Sequence, residues 1–289
     1  MEKNKVLYII KAYIERMPSL PTTVAKILEI CNDPKTSPTD LNKLISLDPV
    51  LMGKVMKLIN SAYYSLFQKV TSLVRAIIML GINTVKNLAL STAVLANISS
   101  KDSFHALDME GFWKHSICVG STAKLIAKKR KINAKYLEEY FIAGLFHDIG
   151  KVPLNNKLAK DYIEALAEAD KMRLPLYFAE QHFWSLDHSE VGMLIIENWK
   201  LSKDIADVVS YHHDLTDYQG EYQDILYTVA VANYFANTSE LGFAGDRYPE
   251  KISDEVFTYL EIDWSYLESI EEDIKNEITR AQIFLEVVK

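Results

Sequence analysis

Glycine and proline are scarce in this chain, 10 and 8 among 289 residues, and cysteine occurs only twice. So few breakers, set among apolar residues that recur at three- and four-residue spacing, exclude a turn-rich sheet protein and predict helices almost throughout. Cys31 and Cys118 stand far apart inside apolar helical stretches. That placement excludes a disulfide framework and a Cys-x-x-Cys metal site, and marks both as inert thiols. Long apolar runs are lacking too. Arg75 and Lys86 interrupt the greasiest region, so nothing reaches the roughly 20 residues of a membrane span. The N-terminus, Met1-Glu2-Lys3-Asn4-Lys5, leads into a charged segment rather than an apolar signal core. A cytoplasmic protein without membrane association is the expectation. Apolar residues at 49% against 25% charged give an ordinary globular balance and exclude wholesale disorder.

Charge of one sign is missing from whole segments. Pro49 to Ser100 contains no Asp or Glu, only Lys54, Lys57, Lys69, Arg75 and Lys86. From Glu250 onward eleven acids face four bases, so this tail carries the whole net charge of -7. A basic face between 49 and 100 invites nucleic acid or an acidic partner. The helix, glycine turn and helix around Gly81 also outline a DNA-reading motif. The would-be recognition helix, Asn83 to Ile98, carries a single cation among Leu, Ala and Val, which is the composition of core packing. Nucleic acid is therefore not an expected partner.

The helical pattern is punctuated by readable signals. Val24, Ile27, Leu28 and Cys31 form one stripe, ended by Asn32-Asp33-Pro34; Leu41, Leu44 and Ile45 form another, stopped where Asp48 precedes Pro49. Ser72 is placed to cap a helix to Leu80, with Gly81 closing it. Further helices are predicted over Gly111–Lys129, Ala134–Lys151, Ala159–Lys171, Ser189–Trp199, Lys203–His213 and Gln223–Thr238, and from Ser253 onward. The fold class is all-α, a multi-helix bundle. A polar break at Ser99–Asp102 suggests three parts: an N-terminal helical subdomain (1–100), a helical subdomain with the His/Asp cluster (101–240) and an acidic helical extension (241–289).

All seven histidines lie at position 105 or later, so the chemistry-capable residues gather in the second part. Continuing the stripe of Leu137, Phe141, Gly144 and Leu145 lands on His147 and Asp148, which points this pair inward. A buried carboxylate beside an imidazole needs a partner, and a metal ion satisfies both. Lys151, one turn on, is placed to hold a phosphate or the same carboxylate. His115, His188 and the pair His212-His213 recur at helix positions able to converge on this point. Asp187 with Glu190 forms an N-cap pattern that sets His188 at a helix entrance. Each histidine also has an alternative as a hydrogen-bonded core residue, and His212 and His213 as counter-charges to a helix dipole. His105 and His182 are expected to have no metal role.

The ordered set His115, His147-Asp148, His188 and His212-His213 resembles the HD superfamily of metal-dependent phosphohydrolases. More narrowly, several segments resemble the HDOD domain, the HD-related output domain of bacterial signalling proteins. They are Leu20-Pro21, Asp48-Pro49, Leu58-Ile59-Asn60-Ser61-Ala62, Ala76–Gly81, Phe112–Ser116, Ala143–Lys151 and Asp187–Gly192. The resemblance runs from about Met17 to about Asn237. It implies an HDOD/HD-like helical fold and a signal-transduction module that binds a partner protein or a nucleotide messenger, without demonstrated hydrolysis. It implies a metal site on His115, His147, Asp148, His188, His212 and His213, for Fe, Mn or Zn. Were the chain an enzyme, it would be a phosphohydrolase acting on a nucleotide or cyclic dinucleotide, with Asp148 and Lys151 as its catalytic residues. Two departures argue against that. Active relatives close the site with an Asp where this chain has Asn233, and the Gly-Tyr-Pro loop of cyclic di-GMP phosphodiesterases is absent after His212-His213-Asp214.

Overall fold

The computed structural model describes residues 3–16, 20–31, 33, 35–98 and 106–288. It is 72% helical, and no strand occurs among the described residues. The chain opens with α1 (Lys3–Arg16), α2 (Thr22–Cys31), α3 (Pro38–Ile45), α4 (Pro49–Ile59), α5 (Leu73–Leu80) and α6 (Ile82–Ile98). There follow α7 (Met109–Lys129), a 3-10 turn (Ala134–Tyr136), α8 (Leu137–Phe146), α9 (Lys151–Lys157), α10 (Ala159–Met172) and α11 (Leu176–Trp184). Next come α12 (His188–Asn198), α13 (Lys203–Tyr211) and α14 (Gln223–Thr238). The tail carries α15 (Asp254–Leu260), α16 (Trp264–Ser269), α17 (Glu271–Ala281) and α18 (Ile283–Val288). The polar break at 99–102 and His105 lie outside the described residues, as do Asn32 and Pro34 of the expected stop after α2.

Local chemistry explains most boundaries. Asp48 caps α4 through the amides of Val50 and Leu51, with Pro49 at the first position, where its missing N–H costs nothing. Ser72 caps α5, and Gly81 at φ +90 ends it in a conformation closed to side chains. Around that glycine α5 and α6 meet at 115°, and no single helix among the described residues is long and apolar enough to cross a membrane. Between α4 and α5, Asn60 clamps the loop: its Oδ1 accepts from the Val70 amide at 2.7 Å and its Nδ2 donates to the Val70 carbonyl at 2.9 Å.

The centre of the bundle is α7, buried around its circumference from His115 to Ala123. It crosses α8 with the backbones almost touching. A Cβ on Gly120 would lie 2.5 Å from the Phe141 carbonyl, and one on Gly144 would lie 2.7 Å from Gly120 Cα. That approach brings the residue after α8 against the middle of α7. The tail is not an appendage: α17 packs on α7, and α18 packs on α4 and α6. Phe284 of α18 is buried, its ring 5.2 Å from both Tyr63 and Phe141. At the other terminus α1 lies on α9 and α12, where Asn156 donates to Tyr13 Oη and Lys3 pairs with Glu190 at 2.9 Å. Cys118 is fully buried and Cys31 partly so; burial raises their thiols to about 12 and about 11.

The predicted continuous helix Ala134–Lys151 is corrected to three pieces. It begins as a 3-10 turn, α8 ends at Phe146, and residues 147–150 form a turn before α9. Gly150 supplies the reason: it packs against α12 so closely that a Cβ there would meet the His188 carbonyl at 1.9 Å. A straight continuation of α8 would not carry its backbone into that contact. Three helices, α1, α9 and α11, were not anticipated.

Gly144→Ala should destabilise the protein by about 3 kcal/mol, the upper end for overpacking, because the obstructing atoms are backbone. Gly53, in α4 with nothing near its Cβ position, should instead gain about 1 kcal/mol on substitution by Ala. Urea unfolding monitored by circular dichroism measures both.

Candidate metal centre

The end of α8, the start of α12 and the end of α13 converge on the Asp148 carboxylate, which is 1% exposed. Its Oδ2 lies 3.2 Å from His147 Nε2, 3.8 Å from His115 Nε2 and 2.8 Å from Lys151 Nζ. Its Oδ1 lies 3.2 Å from His188 Nε2 and 3.6 Å from His212 Nε2. His213 Nε2 stands 3.1 Å from His188 Nε2. Two groups of ligand atoms result: His115, His147 and Asp148; and Asp148, His188, His212 and His213. Within each the atoms lie within 4.8 Å of one another. All six residues of the expected ligand set are thus brought together.

The rings are oriented from behind. His147 Nδ1 faces the Gly144 carbonyl at 2.7 Å, and His212 Nδ1 faces the carbonyls of Val208 and Val209 at 3.1 Å. His188 Nδ1 faces Glu180 Oε2 at 2.6 Å. A carbonyl or carboxylate oxygen accepts only from N–H, so each Nδ1 carries a proton and each ring turns its Nε2 toward Asp148. Several ring nitrogens and an anion then share one buried spot. Apart from the Lys151 ammonium beside Oδ2, no hydrogen-bond donor is placed on Asp148, and His147 Nε2 is buried without a hydrogen-bond partner. A divalent cation would satisfy this donor set, and the residues present fit a metal ion through their ring nitrogens and carboxylate and through the oxygens that hold the far side of three rings.

Electrostatics keep three of the rings neutral and charge a fourth. Burial and the neighbouring His147 hold His115 down to about 3, and burial holds His212 at about 4. Burial, with His212 and His188 beside it, also keeps His213 well below its ordinary range. These rings are neutral, the form that binds metal. Burial opposes charge on His188, but the Glu180 and Asp148 carboxylates outweigh it and carry the ring up to about 10. Burial likewise works against the Asp148 anion, which His147 and Lys151 nonetheless hold well below the usual carboxylate range.

Lys151 was expected to hold a phosphate or the same carboxylate, and the structure places it on carboxylates alone. It is 1% exposed, with Nζ 2.8 Å from Asp148 Oδ2 and 2.8 Å from Asp246 Oδ2. Asp246 also accepts from the Leu176 amide at 2.7 Å. Asn233 lies beside His115, its Oδ1 3.1 Å from Nε2; Asn237 donates to that same oxygen at 2.9 Å, which turns the amide oxygen toward the ring. The amide therefore takes the Nε2 proton of His115, whose Nδ1 is left buried and unpartnered. His182 is far from this, a surface residue paired with Glu168. The described surroundings open at His213. There a cleft of about 180 Å³ is lined by His212, His213, Thr216, Asn233 and Lys251. Tyr177 covers His213, ring on ring at 4.5 Å, and donates its hydroxyl to Glu250 at 2.7 Å.

Sequence reasoning missed Glu180 and Asp246. Glu180 is fully buried and accepts from the His188 amide, His188 Nδ1 and the Tyr162 hydroxyl. Its signal was legible: one acid within the apolar run Leu176–Trp184. Asp246 gave no such signal. Gly242, at φ +87 with its Cβ position 2.3 Å from the His115 amide, and the bond from the Phe243 amide to the Gly111 carbonyl deliver it from a loop.

Comparison with known proteins gives the family. The HDOD domain model matches residues 17–215, and the chain belongs to that family. Over 97% of both chains it superposes on an HDOD domain protein from Geobacter sulfurreducens, with a TM-score of 0.73 and 26% identity. A protein from Marinobacter aquaeolei VT8, provisionally named for signal transduction, shares the fold at TM-score 0.72 and 17% identity, over 99% of this chain and 65% of that one. An uncharacterised protein of Treponema pallidum (strain Nichols) is 24% identical over 232 residues, 80% of this chain. The chain spans 44% of that relative's length. A role of the HD-related signalling type follows from the family.

Two outcomes test the geometry. Gly150→Ala should displace His188 and cost the protein its metal-binding capacity, read by titration with Mn, Fe or Zn. The metal-free protein should lose stability as pH falls below about 6.5. His115 and His212 are neutral when folded but take protons when unfolded, so each adds about 1.4 kcal/mol per pH unit down to about pH 4. Denaturant titrations of His115→Gln and His212→Gln should show a shallower acid limb, and an unchanged limb would contradict the assigned protonation states.

Proposed function

We propose that this chain is a non-catalytic HDOD signalling module whose buried histidines hold a divalent transition metal as a structural and regulatory centre. Its outer surface takes a partner protein or a nucleotide messenger. Asp148, His188, His212 and His213 would form the main ligand set, with His147 Nε2 adjoining. When bound, the ion supplies positive charge to a buried anion and Lewis acidity to any water it carries.

The single observation that carries the non-catalytic reading is the position of Lys151. In a phosphohydrolase this cation would meet the developing charge on phosphate; here it is sealed between Asp148 and Asp246 at 2.8 Å from each. Two further features support the reading. Asn233 offers a neutral amide where active relatives have a carboxylate, and that amide is spent on His115. The histidines are also almost wholly buried, apart from His213 under the Tyr177 ring.

Elemental analysis of purified protein should return a divalent transition metal that Asp148→Ala abolishes. Asn233→Asp, which restores a charged oxygen next to His115, should tighten metal binding by about 10-fold or more. The metal-loaded wild type should hydrolyse neither cyclic dinucleotides nor simple phosphoesters. Turnover lost on Asp148→Ala would overturn the non-catalytic reading in favour of a metal-dependent phosphohydrolase.

A further inference from the structure

A second cleft, of about 540 Å³, opens where α8, α13 and α14 begin, at the opposite ends of these helices from His147, His212 and Asn233. Its walls include Lys86 and Asn87 of α6, Glu139 and Ile142 of α8, and Asp204 and Ile205 of α13. Eight residues of helix separate Glu139 from His147, a rise of about 12 Å. The cleft and the metal centre are therefore distinct places joined by common helices.

One polar atom in this cleft has no use within the protein. Asn87 is 4% exposed among the buried apolar residues of α6, and its Nδ2 has no hydrogen-bond partner. A buried, unpaired amide donor costs about 1–3 kcal/mol, and it lines a cavity rather than a packed core. Glu139 faces the same cavity. Asn83, one turn before Asn87, donates to Glu139 Oε1 at 3.3 Å, and Oε2 is left available as an acceptor. Burial raises the Glu139 carboxyl to about 7, against the pull of Lys86. Asp224 at the rim is already engaged by Tyr140 and Arg130. The walls between the polar groups are apolar, from Ile142, Ile205 and Ile225. Acids outnumber the one cation, Lys86, in the lining, so a phosphate group is disfavoured.

We propose that this cleft binds an uncharged lactam heterocycle, a flat ring whose N–H is accepted by Glu139 and whose adjacent carbonyl accepts from Asn87 Nδ2. The complementary donor and acceptor read the two neighbouring atoms of a cyclic amide. The isoleucines pack on the ring faces, and the volume suits a ligand of nucleoside size. In the orientation a lactam takes, an adenine-type edge sets its amino donor against Asn87 and its ring acceptor against Glu139; it pairs with both only when turned over, which sends the sugar to the other side of the cleft. The helices α8, α13 and α14 all run from this cleft toward the metal centre.

The assignment names an input for the module proposed above, and its test is separable from that reading. Inosine, guanosine, adenosine and guanosine monophosphate are titrated into the full chain by calorimetry, with metal content measured on the same samples. Inosine and guanosine should bind, adenosine about 10-fold more weakly or worse, and the monophosphate more weakly than guanosine. Asn87→Leu and Glu139→Met should each lose about 10-fold in inosine affinity while keeping the wild-type metal content. Asn87→Leu removes an unpaired donor, so its melting temperature should not fall; Glu139→Met tests the same edge from the other side. Absence of nucleoside binding, equal binding of adenosine, or undiminished binding by both variants overturns the assignment. Failure here with metal intact leaves the module reading standing, whereas phosphoester turnover would remove that reading without touching the cleft.

Discussion

The structure depends on keeping one ionised carboxylate, Asp148, in the middle of an apolar bundle. Moving such a charge out of water costs several kcal/mol even after relaxation, and leaving it unpaired costs more. Lys151 offsets part of that, and the histidine nitrogens are arrayed around what remains. Those rings are held by Glu180 and by the carbonyls of Gly144, Val208 and Val209, so their positions do not await an incoming ion. The close backbone contacts at Gly120, Gly144 and Gly150 have the same purpose seen from the packing side. They let α7, α8 and α12 approach near enough for side chains from three helices to meet at one atom pair.

Such a cluster is expensive unless complete, because a half-satisfied polar network is worse than an apolar core. The tethering residues are accordingly as buried as the ligands: Glu180 is fully enclosed and Asp246 is 4% exposed. The lysine and the carboxylates neutralise one another, and the Tyr177 ring lies over His213.

Much of this was legible beforehand, for identifiable reasons. Asp48-Pro49, Ser72 with Gly81, and Asp187 followed by Glu190 are local signals, each settled by hydrogen bonds within four residues, and each forms as read. The inward aim of His147-Asp148 followed from the apolar stripe before it, although the helix stops at Phe146. What escaped was non-local. The turn at 147–150 is imposed by α12, some forty residues on, and only the His188 carbonyl shows why Gly150 is a glycine. Asn60 stood in a recognisable segment without a stated task; its grip on Val70 spans a loop that no periodicity describes. Asp246 comes from an irregular segment that nothing in its own neighbourhood marks.

That last residue bears on how the chain is made. The family match ends at residue 215, yet the second counter-charge of Lys151 lies at 246 and the ring that fills the space beside Tyr63 and Phe141 lies at 284. When the helices through α13 have been made, Lys151 has only Asp148 as a counter-charge. The full enclosure of that ammonium, and of the space beside Tyr63 and Phe141, is completed by the last part of the chain to be synthesised.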